Sequence, residues 1–389
     1  MYITAFPHRD ELFDITNRWF SDHLKPDDPL RITRIINYDS YTAWETMLQF
    51  IAELNRQLCA EGVYRKTITI KKEFKDFICN SNGPRSDRIH RLIFEYKNVP
   101  EYHYVGSPVA GYIYHDADNR IVSICRLKRA KRIAEKTSRY AALHITEKIR
   151  ETGNEIWREE GGTGNAPEPL PGDILTRAEK RLMMSIKENG FTIPVDIMAI
   201  KDVMGVKVIQ NGVSESRLES ILVQLPGIDI LEKEVHSGNY NATHYVIELK
   251  VDMANVIRKF NVLKSIAMLS NKGLPETSIV QDFKMFAETG SDRVQLDMIF
   301  TTFAELIESE IGRSTHEARI FRQRRHQNSF GNIPINIEYL IEYLIAVGLS
   351  PAIHIDEIPI KIWGRYLPDT LGYRIRSLYN MPGDSIVHV

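Results

Sequence analysis

Two segments in the second half of the chain alternate strictly between apolar and polar side chains, and they restrict the possible folds more than any other feature. In residues 242–251, Tyr245, Ile247, Leu249 and Val251 face one way. In residues 293–298, Val294, Leu296 and Met298 oppose Arg293, Gln295 and Asp297. A period of two sends successive side chains to opposite faces of an extended strand, so each segment needs an apolar layer on one side. Further strands are expected at 202–209 and 228–235. Between them the period changes: Leu218, Ile221, Leu222 and Leu225 recur at helical spacing, as do Leu175, Ala178, Leu182 and Ile186. Thr302 and Glu305 form a capping box that opens a helix expected to reach about residue 325. Strands interspersed with helices predict an α+β fold, a mixed β-sheet flanked by helices.

Glycine and proline crowd residues 161–172, where the sequence reads Gly-Gly-Thr-Gly-Asn-Ala-Pro-Glu-Pro-Leu-Pro-Gly. Such a stretch resists regular structure and predicts a linker at 161–173. It separates an α/β-mixed N-terminal domain (1–160) of unassigned role from a second domain (174–330), followed by a C-terminal helical extension (331–389). In the first part, Trp44, Leu48, Ile51 and Leu54 mark a helix over 41–61. Two short strands flank an Asp-Ala-Asp-Asn turn at 116–119, and a charged helix is expected over 127–159. His115 and Asp116 belong to that turn rather than to a metal site. Residues 337–347 are almost wholly apolar and predict a buried helix.

Composition narrows the function classes. A net charge of -1 gives no global attraction to nucleic acid or membrane, so such a site would be a local patch. Basic runs at 126–139 and 319–325 are the places for one. The 3 cysteines, Cys59, Cys79 and Cys125, form no CxxC pair and argue for a reducing compartment. No signal peptide opens the chain and no apolar run reaches about 18 residues, so a cytoplasmic location is expected. There is no glycine-rich P-loop, no GxGxxG and no GxSxG.

Three segments, in order, carry a resemblance to a known family. Ile200-Lys-Asp202-Val-Met-Gly205-Val-Lys207-Val-Ile209 resembles an Asp-Ile-Ala-Gly-Ile-Arg strand. Gly238-Asn239-Tyr240-Asn241-Ala242-Thr243-His244 is similar to an Asn-Gly-Tyr-Gln-Ser-Leu-His loop. Arg293-Val294-Gln295-Leu296-Asp297 stands where the family has Glu-Ile-Gln-Ile-Arg. The family is that of the RelA/SpoT nucleotide pyrophosphokinases, the alarmone synthetases, and the likeness covers residues 174–325. About forty residues are inserted between the second and third segments.

The resemblance implies a nucleotidyltransferase-like domain that transfers pyrophosphate from ATP to a nucleotide 3′-hydroxyl, with GTP or GDP as acceptor. It implies magnesium as cofactor, held by Asp202, because a divalent cation offsets phosphate charge that repels the nucleophile. Tyr240 would stack on a purine, Asn241 and His244 would lie near phosphates or base edge, and Arg293, Gln295 and Asp297 would form the catalytic strand. Donor phosphates need cations. Arg177, Arg181 and Lys187 on one helix are the preferred candidates; the run from Arg126, Lys128 and Arg129 through Lys136 is the rival set, disfavoured because it precedes the linker and would demand a large insertion. The departure is Arg293, which stands where the family has a glutamate base and cannot itself accept a proton near neutrality. Asp297 could replace it from a shifted position, or pair with Arg293 as a structural bridge. The alternatives are a catalytically degenerate nucleotide sensor or partner-binding protein, and an enzyme acting on RNA.

Overall fold

The computed structural model describes residues 1–59, 61–238, 240–260, 269–270, 272, 278–312 and 332–382. The strands are β1 (Tyr2–Ile3), β2 (Tyr64–Ile70), β3 (Pro108–His115), β4 (Ile121–Leu127), β5 (Ala199–Ile200), β6 (Met204–Ile209), β7 (Ile228–His236), β8 (Ala242–Lys250) and β9 (Arg293–Thr301). Helices α1 (Arg9–Phe20), α2 (Asp28–Arg34), α3 (Ser40–Leu58), α4 (Lys71–Asn80), α5 (Asp87–Asn98) and α6 (Ala130–Glu159) fill the first part. After it come α7 (Gly172–Asn189), α8 (Val195–Met198), α9 (Glu215–Gln224), α10 (Met253–Lys259), α11 (Ile279–Ala287), α12 (Phe303–Glu310), α13 (Asn332–Leu349) and α14 (Thr370–Leu378).

Seven strands form one mixed sheet in the order β2-β3-β4-β6-β9-β8-β7, in which β6 and β9 run parallel and the other neighbours antiparallel. A second, two-stranded parallel sheet pairs β1 with β5. The α+β expectation therefore holds. Register fixes what each face carries. Val206 and Val208 on β6 align with Met298 and Phe300 on β9, and Tyr245 and Ile247 on β8 continue the same face. These side chains are buried in the main core, with α3 and α9 among the helices packed against it. The opposite face presents Arg126, Gly205, Lys207, Gln295, Asp297 and His244. Near β2 and β3 that face is covered by α4, α5 and α12, whose Phe74, Ile78, Ile89, Ile93, Leu306 and Ile307 make a second apolar cluster.

Local chemistry sets several element ends. The Thr302 hydroxyl accepts from the Glu305 N–H at 3.2 Å, so the expected cap is present. The described helix behind it ends at Glu310, and the basic run 319–325 lies outside the described residues. Thr176, in contrast, sits inside α7 and donates to the Gly172 carbonyl, because that helix begins directly after Pro171. The turn at 116–119 forms as expected, with the Arg120 N–H donating to Asp116 Oδ1 at 2.8 Å.

The division at 161–173 does not separate independent sheets. Strand β4 lies before it and β6 beyond it, yet the two are hydrogen-bonded neighbours over five register pairs. Residues 160–171 simply turn the chain between α6 and α7, which pack together. Glycine and proline report a loop, and an interhelical loop has the same composition as an interdomain one. Helix α13 likewise packs on α2 and α6 within the main core, as its apolar sequence requires. Among the described residues, no helix is long and apolar enough to cross a membrane.

Candidate functional site

Asp202 is set in place by its neighbours in sequence. Two residues earlier, Ile200 pairs with Ile3 of β1, and its carbonyl accepts from both the N–H and the hydroxyl of Thr4 at 3.2 Å. One residue later, the Val203 carbonyl accepts from the Lys128 N–H at 2.8 Å. Lys128 follows β4, and Lys136 stands on the second turn of α6. Both ammonium groups reach Asp202 Oδ2, with Lys136 at 2.8 Å. The other carboxylate oxygen, Oδ1, is buried and accepts no hydrogen bond among the described residues.

A second carboxylate shares this cluster. Asp297 on β9 is the register partner of Gly205, three residues beyond Asp202, and its side chain is on the face away from the main core. Burial, and then the nearby Asp202 charge, push its pKa up to about 6 against the pull of Lys128, Lys136 and Lys207. Asp202 goes the other way. Burial opposes its ionisation, but Lys128 and Lys136 outweigh that cost and hold it at about 2. Burial lowers Lys128 despite Asp202, whereas for Lys136 the carboxylate outweighs burial and the pKa rises. Two acids in one cluster, one firmly ionised and one poised near 6, can divide the tasks of binding a cation and moving a proton.

The sheet surface beside Asp297 is open. A Cβ built on Gly205 would meet no atom within 4 Å, so a cleft floor runs between Arg126 and Asp297, its neighbours on β4 and β9. Beyond Gly205 a second cluster gathers around Glu310, at the end of α12. Arg126 bonds Glu310 at 3.1 Å, while Lys71 and Lys207 lie at 3.6 Å. Lys75 donates to the backbone carbonyls of Glu310 and His103. Burial together with Arg126 and Lys71 lowers Lys207 to about 8, although Glu310 opposes this. Burial would raise Glu310, but Arg126, Lys71, Lys207 and Lys75 hold it well below the usual carboxylate range.

Tyr240 lies beside this second cluster, where burial pushes its hydroxyl up to about 12 and Glu310, Glu305 and Arg126 act on it. His244 is on the open face of β8, packed edge-on against His236 and Tyr240. Asn241 closes the loop: its Nδ2 donates to Glu305 at 2.7 Å, and its Oδ1 accepts from the Gly238 N–H at 3.0 Å. Gln295 shares the open face and donates to Glu248 at 3.2 Å. Glu248, its register partner, is six residues along β8 from Ala242, so Gln295 and Tyr240 share a face but lie roughly 20 Å apart.

Arg293 does not meet Asp297. It pairs with Asp229 of β7 and lies 3.8 Å from Glu248, because residues four apart on one strand are separated by about 13 Å of backbone. Of the expected catalytic strand, only Asp297 joins the Asp202 cluster.

The preferred phosphate-binding helix lies away from this cluster. Arg177 and Arg181 pair with Glu160 and Glu159 at the far end of α6, and Lys187 is exposed on α7. Glu159 is 23 residues from Lys136 along α6, which is roughly 35 Å of helix. The rival set, Arg126, Lys128 and Lys136, is the one gathered at Asp202 and the cleft. Its place before the glycine–proline loop is no obstacle, because β4 pairs directly with β6. The sequence reading misses Lys71, Lys207 and Glu310 as site residues. Lys207 lies within the segment 200–209 that carries the resemblance, on the face opposite the main core, and nothing local marks Lys71.

All three cysteines are free, and burial raises the Cys79 and Cys125 thiols to about 12, which makes those two poor nucleophiles. No family model matches the chain, and neither the curated proteins nor the solved structures contain a match.

Proposed function

We propose that the cleft over Gly205 handles nucleotide phosphates, as a divergent site of the RelA/SpoT type that transfers pyrophosphate from ATP to the 3′-hydroxyl of a purine nucleotide. The observation that carries this reading is the convergence of Lys128 and Lys136 on Asp202 with Asp297 alongside. A carboxylate that anchors a cation, a second that can hold a proton, and lysines for phosphate oxygens are the groups such a transfer needs. The Arg126–Lys207 cluster beyond the cleft floor supplies positive charge for a second phosphorylated ligand, and Tyr240 supplies a ring near it.

The donor set fits magnesium. Asp202 Oδ1, buried and without a hydrogen-bond donor among the described residues, is a hard oxygen ligand. Magnesium commonly takes one or two carboxylates and completes its shell with water and phosphate oxygens. When bound, the ion would neutralise charge on the transferring phosphates. Lys128 and Lys136 would orient those phosphates. Asp297, rather than Arg293, would accept the acceptor's 3′-hydroxyl proton. That oxygen would form a bond to the β-phosphorus of ATP, and the bond from that phosphorus to the α-phosphate oxygen would break, releasing AMP.

The test is incubation with ATP labelled at the β-phosphate and GTP, GDP or GMP, with products separated by thin-layer chromatography. Wild type should give labelled guanosine product and unlabelled AMP, and Asp202→Asn and Asp297→Asn should not. Nucleotide binding without turnover in wild type would replace this reading with the sensor. Absence of binding to ATP, GTP and tripolyphosphate would overturn both.

A further inference from the structure

An open-sided cavity of 570 Å³ runs along α6 away from Asp202, and Lys136 belongs to both. Its α6 wall is built from Lys136, Tyr140, Leu143 and Glu147, residues at helical spacing that share one stripe, with His144 beside them; Asp196 and Ile197 of α8, and Ala199 and Lys201 after it, line the other side. The ends of the stripe, Lys136 and Glu147, are 11 positions apart, roughly 16 Å of helix. Its character changes along that length. Beside Asp202 it is cationic, with the Lys136 ammonium 5.5 Å from the centre of the Tyr140 ring. In the middle it presents an apolar side chain: Leu143 is 62% exposed. At the far end Glu147 and Asp196 are exposed carboxylates, which accept hydrogen bonds and donate none when ionised.

We propose that this groove seats the base and sugar of the nucleotide whose phosphates meet Lys128 and Lys136, and that it determines which donor base is accepted. The proposal rests on the phosphate-handling reading above and adds the recognition element. The volume is that of a small-molecule site. Tyr140 and Leu143 offer a planar and an aliphatic surface for a purine, and Lys136 fixes its phosphate end. Glu147 and Asp196 then face the edge of the base, where they favour rings bearing N–H donors. A groove for a peptide would not need the shared lysine, and a groove for a lipid would not place two carboxylates at its end.

The experiment compares calorimetric affinities of ATP, GTP and tripolyphosphate for the full chain with magnesium present. Wild type should bind one of the nucleotides at least tenfold more tightly than tripolyphosphate. Tyr140→Leu, which keeps apolar packing but removes the ring, should bring nucleotide affinity down to that of tripolyphosphate and leave the latter unchanged. Glu147→Gln, at an exposed position that poses no folding risk, should narrow the preference between ATP and GTP. Equal affinity for nucleotide and tripolyphosphate in wild type, or a nucleotide advantage that survives both substitutions, would overturn the groove while leaving the Asp202 cluster as a phosphate site. Tripolyphosphate binding that is absent, or indifferent to Lys136→Ala, would instead remove the reading on which the groove depends.

Discussion

The two charged clusters on the open face of the sheet are built from similar side chains and have opposite balances. Around Asp202 there are two carboxylates, Asp202 and Asp297, and two lysines, and the Asp202 side chain keeps 28% of its exposure. Around Glu310 there is one carboxylate, with a side chain only 2% exposed, against Arg126, Lys71 and Lys207. The difference lies in what each cluster can release. A balanced, half-open cluster can exchange its internal partners for a ligand, because water and ligand can replace each lost contact. A buried carboxylate that holds several cations together cannot be vacated without leaving those cations unpaired. The first is suited to chemistry. The second is a fixed source of positive potential next to it, anchored by Glu310.

The largest expected effect follows from that anchor. Glu310→Gln should cost about 3–5 kcal/mol in urea unfolding, since it strands buried cations. A loss below about 1 kcal/mol would mean that the cluster relaxes freely and that the contrast is false. Asp297→Asn should lower pyrophosphate transfer by about 10²–10⁴-fold, the usual worth of a positioned general base, while the protein stays folded. Retained activity would move the proton acceptor elsewhere.

A smaller effect concerns pH. With Asp297 at about 6, the transfer rate should rise about tenfold per pH unit below that value and level off above it. The Asn variant should lack this limb. Stability should run the opposite way. The folded state holds the Asp297 proton more tightly than the unfolded chain, whose value is 3.8. This contribution is therefore fully present below about 4 and is lost as pH rises to about 6. Asp297→Asn should accordingly be more stable than wild type at pH 7–8, by about 1–2 kcal/mol in the same urea assay. Equal stability there would show that burial and the Asp202 charge do not hold the Asp297 proton in the folded state. The smallest effect is expected on α7, where Arg177→Ala and Arg181→Ala should leave both the unfolding midpoint and the transfer rate at wild-type values, because their pairs with Glu160 and Glu159 are exposed and remote from Asp202.

What the sequence determined by itself was local. Alternation in 242–251 and 293–298 gave β8 and β9 and the face on which Asp297 lies, because strand geometry sends neighbouring side chains to opposite sides whatever surrounds them. The Thr302 cap, the turn at 116–119 and the burial of α13 were legible for the same reason: each is decided within a few residues. Which charges meet was not legible. Lys128 and Lys136 are more than sixty residues from Asp202 in sequence, and β4–β6 pairing with α6 following β4 brings them to it, while the same pairing sets Arg126 beside Gly205. Lys71 and Glu310 are brought together from α4 and α12 in the same way. Composition marked residues 161–172 as a loop but could not say whether the helices on either side pack. Only the sheet order made Asp202, Asp297 and their lysines one cluster and left Arg177 and Arg181 at the other end of α6, because long-range charge contacts follow from strand pairing and have no period of their own.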